Sequence, residues 1–119
     1  MATYVNNLRL KEIATGDESG TWGTSTNTNL ELIGQGLGYG TKQMSADSNE
    51  TFTMADGSSD STRAFYLKIT SAVSLTTTRT VTLAPNTVSK MWIVENATSG
   101  AQSINIKQGS GNEVTIATG

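Results

Sequence analysis

Histidine and cysteine do much of the side-chain chemistry found near neutral pH, and this chain of 119 residues has neither. The commonest general base, the imidazole metal ligand, the thiol nucleophile and the disulfide are excluded together. An active site would have to be built from Asp, Glu, Lys, Tyr and Ser. The ten acidic residues are scattered, mostly through loop-like segments. No two form a conspicuous pair on one strand face, the kind of carboxylate pair glycoside hydrolysis uses. The expectation is no enzyme, no metal and no cofactor.

Three local patterns resemble ligand motifs and read better as structure. Asp56-Gly57-Ser58-Ser59-Asp60 looks like part of a calcium loop but lacks the 12-residue ligand series and its closing glutamate, so a β-turn is expected. Gly34, Gly36, Gly38 and Gly40 follow a predicted helix instead of joining a strand to one, and no P-loop lysine is in place. Asn49-Glu50-Thr51 and Asn96-Ala97-Thr98 match the glycosylation pattern, which a threonine-rich chain produces by chance.

Composition narrows the field further. Hydrophobic residues make up 35% of the chain and charged residues only 15%, against roughly 25% in an ordinary soluble domain. Thr, Ser, Asn and Gly fill the difference. With one proline and clear Val/Ile/Thr/Phe runs, the composition indicates a polar, uncharged β-protein, not a disordered one. A net charge of −2 with singly spread Lys and Arg leaves no basic stripe for nucleic acid. No apolar run approaches the roughly 20 residues of a membrane span, and Met1-Ala2-Thr3-Tyr4-Val5 opens no secretory signal, so synthesis in a cytoplasm is expected.

The elements that would position a site fall into two regions. Residues 1–40 form an N-terminal arm, 41–50 a linker that is polar except for Met44 and Ala46, and 51–119 a β-domain. In the arm, Leu8 and Leu10 share one face of an extended stretch with Ile13 beyond it, and residues 15–20 form a loop. Thr28-Asn29-Leu30-Glu31 fits a capping box, with Thr24 or Ser25 equally able to cap an earlier start. Leu30, Ile33 and Leu37 then form an apolar stripe on one short helix. Its glycines cost about 1 kcal/mol each relative to alanine inside a helix, so it needs something to pack against.

In the β-domain, Thr51 to Met54, Arg63 to Ser71, Val73 to Leu83, Ser89 to Glu95, Ser103 to Lys107 and Glu113 to Ala117 read as five or six strands. Phe65, Leu67 and Ile69 alternate with Tyr66, Lys68 and Thr70, and the last two segments flank a Gly-Ser-Gly-Asn turn suited to a hairpin. Ser89 to Glu95 is apolar on both faces and is expected to be central. The predicted fold is mainly β: an antiparallel β-sandwich or barrel-like domain preceded by an arm with one short helix. Trp92, inside an apolar strand, is expected in the core, its rival role being a stacking platform for sugar. Trp22, between Gly20 and Gly23, either locks the arm onto the domain or plugs a pocket on a partner.

Leu8 to Ile13, the stretch Gly20-Thr21-Trp22-Gly23 running on to Ile33, and the segments Ala84 to Lys90, Glu95 to Gly100 and Gln108 to Gly111 resemble the N-terminal region of phage tail-fibre proteins, closest to those of short-tailed phages of marine bacteria. Gly-Thr-Trp-Gly is the more specific element and the Thr/Ser-rich remainder the weaker. The resemblance implies a virion protein of the tail, made in the host bacterial cytoplasm as part of a longer polypeptide. It implies a homotrimer fixed to adaptor, nozzle or portal-proximal proteins, with the host receptor met only by distal regions. The partner-binding residues expected on this reading are Leu8, Leu10, Ile13, Trp22, Leu30, Ile33 and Leu37. It also implies that residues 51–119 remain folded when the arm is removed. The alternatives are a carbohydrate-binding β-sandwich using Tyr66 or Trp92, and a head-decoration or baseplate component.

Overall fold

A computed structural model describes residues 3–119. The described chain begins with a small antiparallel hairpin, β1 (Thr3–Val5) and β2 (Leu10–Glu12), closed by a turn over residues 6–9. Leu8 therefore lies in the turn, not on a strand face shared with Leu10. Asn6 and Arg9 adopt positive φ there, and the Arg9 N–H donates to the Asn6 carbonyl at 3.2 Å.

Among the described residues the single α-helix, α1, runs from Trp22 to Leu37. It starts one turn and more before the expected capping box, so Trp22 opens the helix instead of sitting in a loop. Thr21 occupies the N-cap without a side-chain cap bond. Serine and threonine along the first turns are tolerated because the helix is held by tertiary contacts, not by propensity.

Seven strands follow: β3 (Tyr39–Met44), β4 (Glu50–Thr53), β5 (Tyr66–Ser71), β6 (Arg79–Ala84), β7 (Ile93–Asn96), β8 (Ile104–Gln108) and β9 (Val114–Ile116). The segment read as a linker supplies most of β3, and β7 is shorter than expected and lies at a sheet edge. Three strands form one sheet in the order β3-β5-β7, and four form another in the order β4-β6-β8-β9.

Except for the β8–β9 hairpin, all pairings in these two sheets are parallel. This corrects the antiparallel expectation for the body of the domain. The chain alternates between the sheets, so each coil adds one strand to each. In the first sheet Tyr39 lies beside Tyr66 and Tyr66 beside Ile93, a step of 27 residues both times. Alternation within a strand tells which face is buried but is blind to the direction of its neighbour.

The core lies between the sheets. Met44, Leu67 and Ile69 from one meet Phe52, Val81, Leu83 and Ile104 from the other, with Leu75 closing a corner. The corners stack through polar bonds: Ser99 N–H donates to Ser71 Oγ at 3.0 Å, and Asp47 accepts from Thr76 Oγ1 at 2.6 Å and Arg79 Nε at 2.8 Å. The molecule is elongated, 53 × 24 × 21 Å with a radius of gyration of 16.1 Å. A spherical domain of this length would have a radius of about 13.5 Å.

Candidate interaction surface

The sixteen residues of α1 carry two different faces. Leu32 and Gly36 are buried, with Ser25, Asn29 and Gln35 half-buried on the same side. On the other side Trp22 is 63% exposed, Leu30 61%, Ile33 36% and Leu37 76%. At 100° per residue these four project within an arc of about 80°. Their apolar stripe therefore points away from the chain's own core.

The inner face explains how so weak a helix is held. Asn29 behaves as an extra strand beside β2: its Oδ1 accepts from Lys11 N–H at 3.1 Å and its Nδ2 donates to Lys11 C=O at 2.9 Å. Gly36 leaves room for Leu8, whose Cδ2 would lie 2.6 Å from a Cβ at that position. Lys11, Glu18 and Ser25 close the hairpin side with a short ion-pair and hydroxyl network.

Gln35 reaches the other way, toward the corner before β5. Its Oε1 accepts from Asp60 N–H at 3.0 Å and Arg63 Nη1 at 2.8 Å, and its Nε2 donates to Ser59 Oγ at 2.8 Å. Arg63, in the 3-10 turn Ser61–Arg63, is fully buried. It also donates to the carbonyls of Leu8 at 2.6 Å, Ser58 at 2.8 Å and Ala55. Burial lowers the Arg63 pKa, with Asp60 and Asp56 opposing that shift. The Asp56-to-Asp60 segment is thus a structural corner: Asp56 pairs with Arg9 at 2.6 Å, and Asp60 caps the 3-10 turn through Thr62 N–H.

Beyond Leu37 the apolar stripe passes directly into the β3-β5-β7 sheet. Only Gly38 separates Leu37 from Tyr39, which is 60% exposed and stacks on Tyr66 with ring centroids 5.1 Å apart. Ile93, next in that ladder, is 46% exposed. Tyr66 Oη donates to Glu95 Oε1 at 2.7 Å, and the carboxylate raises the phenol's pKa.

Of the seven residues expected to meet a partner, the structure gathers Trp22, Leu30, Ile33 and Leu37 on one exposed face. Leu8 turns inward onto Gly36, and Leu10 and Ile13 are half-buried near the hairpin. Tyr39 belongs to the exposed strip and is not among those seven, because in sequence it sits outside the helical spacing, between two glycines. Trp92 is half-buried against the core, its Nε1–H donating to Thr62 C=O at 2.8 Å and Lys90 Nζ lying 4.4 Å from its ring centroid. On the ring face that Lys90 covers, a sugar could stack only by displacing that lysine. Asn96 is buried, with its amide spent on Gln102, Ile116 and Thr98, and is closed to glycosylation.

Among the described residues no three His, Cys, Asp or Glu side chains cluster to hold a metal, and no helix is long and apolar enough to cross a membrane. The fold and this surface define a small, mainly β protein with two parallel-paired sheets and an uncovered apolar helix face. The chain matches no family model, no curated protein and no solved structure with which it was compared.

Proposed function

We propose that this chain is a structural virion module, the tail-proximal domain of a phage tail fibre, that associates with copies of itself through α1. The observation that carries the reading is the exposed stripe of Leu30, Ile33 and Leu37. Its spacing of three then four residues places leucine at the a positions and isoleucine at d of a heptad. That choice shifts parallel helices from dimers toward trimers and tetramers, and a trimer is the state that the tail-fibre resemblance implies. Glu31 is the only charged residue in the helix, so little opposes close approach of copies. The elongated body then projects from the bundle, and the tail adaptor or nozzle proteins meet its arm end. Host recognition belongs to distal parts of a longer fibre.

The test is the mass of the chain in solution by sedimentation, across a wide concentration range. The expected result is a trimer that becomes a folded monomer when Leu30 and Ile33 are both changed to glutamate. A wild-type chain that stays monomeric at high concentration overturns the association. A trimer that fails to bind tails stripped of their fibres overturns the attachment role while leaving the association standing.

A further inference from the structure

The two main sheets begin together, and their first strands are both edges: β3 pairs only with β5, and β4 only with β6. The chain reaches β3 directly from α1, so the stack of coils starts here by the chain's own course and not at a terminus. Tyr66 N–H donates to Gly38 C=O at 3.1 Å and Ala72 N–H to Met44 C=O at 2.9 Å, so the even-numbered residues of β3 face β5. The alternation of a parallel ladder then turns the N–H and C=O of Thr41 and Gln43 outward. Just past β4, Met54 N–H donates to Ala84 C=O at 2.8 Å, and by the same alternation Thr51 and Thr53 turn outward.

An edge of this kind is open to another strand, and one protection against it is a charged side chain pointing inward from the edge. Lys42 is the only charged residue of β3 and lies on the same side as the buried Met44. Its Nζ stands 5.6 Å from the centroid of the Phe52 ring and 3.4 Å from Asp60 Oδ1. Asp60 is held in turn by the N–H groups of Ala55 at 3.2 Å and Thr62 at 2.9 Å. Phe52 is 1% exposed although β4 has no strand on its other side, and the stem of Lys42 supplies part of that cover. The lysine keeps its access to water, with 35% of its side chain exposed. Glu50, the one charge of β4, is taken up at the corner by Ser45 N–H at 3.0 Å and Oγ at 2.7 Å.

We propose that Lys42 guards this end of the domain against strand addition by a second copy of the chain. Head to head across a two-fold axis, β3 would pair with β3 and β4 with β4, the same patch meeting itself. Both Lys42 ammonium groups would then be enclosed in one shared core. Each would lose the water that offsets the desolvation of its pair with Asp60, and two like charges would occupy one space. The outward residues Tyr39, Thr41, Gln43, Thr51 and Thr53 carry no charge, so the inward lysine is what opposes the pairing. The guard acts at the first coil and does not depend on the α1 stripe or on the fibre reading.

The experiment is sedimentation of the full chain carrying Leu30→Glu and Ile33→Glu, which sets aside any association through α1. That background is expected to stay monomeric. Adding Lys42→Met removes the charge, keeps an unbranched cover for Phe52, and is expected to tighten self-association by about tenfold or more, giving a dimer. Lys42→Arg keeps the charge and should stay monomeric. Thr41→Pro removes an outward N–H that β5 does not use, and combined with Lys42→Met it should restore the monomer. A folded, monomeric Lys42→Met chain overturns the proposal, as does a dimer that survives Thr41→Pro or that Lys42→Arg forms equally well. Where Lys42→Met loses its near-UV circular dichroism, Lys42→Gln retains a donor for Asp60 without the charge, and a monomer there overturns the proposal in the same way.

Discussion

Arg63 Nε donates to the carbonyl of Leu8 at 2.6 Å, across 55 residues of sequence. The bond joins the turn of the N-terminal hairpin to the corner that opens β5. The same guanidinium also holds Gln35 of the helix and the carbonyls of Ala55 and Ser58. The arm is therefore built into the domain, not appended to it.

Arg63→Leu should cost on the order of 3 kcal/mol in urea unfolding, because it leaves several buried acceptors without a donor. Gln35→Ala should cost less, about 1–2 kcal/mol, since Asp60 N–H and Arg63 keep other partners or reach water. Removing residues 1–40 takes away both Leu8 and Gln35 and shortens β3. The remainder is expected to lose its sharp thermal transition, opposite to what a detachable arm predicts. A cooperative transition retained by residues 41–119 would show that Arg63 is not the link.

Two glycine substitutions should move stability in opposite directions. Gly100 has φ of +103°, and a Cβ there would lie 2.6 Å from Leu75 N and closer still to its carbonyl oxygen. Gly100→Ala should destabilise by about 3 kcal/mol, because backbone must move. Gly34 is helical, and a Cβ added there would meet nothing within 4 Å. Gly34→Ala should stabilise by roughly 0.5–1 kcal/mol through helix propensity alone. Calorimetric melting of the two variants checks both signs.

Lys90 predicts an alkaline rise in stability. Burial, aided by the charge of Arg63, pushes its pKa down to about 8 from the ordinary lysine value of 10.5. The unfolded chain then binds more protons than the folded one between those values, so unfolding becomes harder as pH rises through that window. The gain is complete above the unfolded value and is lost as pH falls through about 8. Unfolding midpoints measured from about pH 7 to 10.5 should rise for the native chain relative to Lys90→Met, which carries no such titration. Parallel curves would refute this.

Asn29→Ala should release the hairpin from the helix. Both Lys11 backbone groups lose their partners, at a cost of about 1–2 kcal/mol. Amide exchange at Lys11 should accelerate before that of Leu67 or Ile69, which lie in the core. Uniform acceleration across the chain would mean that hairpin and core open together.

Much of the local structure was legible because it rests on short-range chemistry. The alternation around Leu67 and Ile69, the β8–β9 hairpin at a glycine-rich turn, and the helical spacing of Leu30, Ile33 and Leu37 follow from backbone periods of 2 and 3.6. The absence of His and Cys was equally plain. Strand direction was not legible: parallel neighbours such as Tyr39, Tyr66 and Ile93 are 27 residues apart and share no turn that would announce their pairing. Nor was the role of Arg63, since one arginine in a polar chain looks solvated until the fold surrounds it with carbonyls.

By itself, then, the sequence determined a low-charge β-protein with one glycine-weakened helix and an apolar stripe, because composition and periodicity act over a few residues. Only the tertiary structure decided that the stripe faces outward while Leu8, Leu32 and Gly36 face in. It alone decided that the two main sheets are mostly parallel. The physical reason is the same in each case: which face is covered and which edge is left open depend on contacts between residues far apart in the chain, and their free energy is shared among partners that no local pattern names.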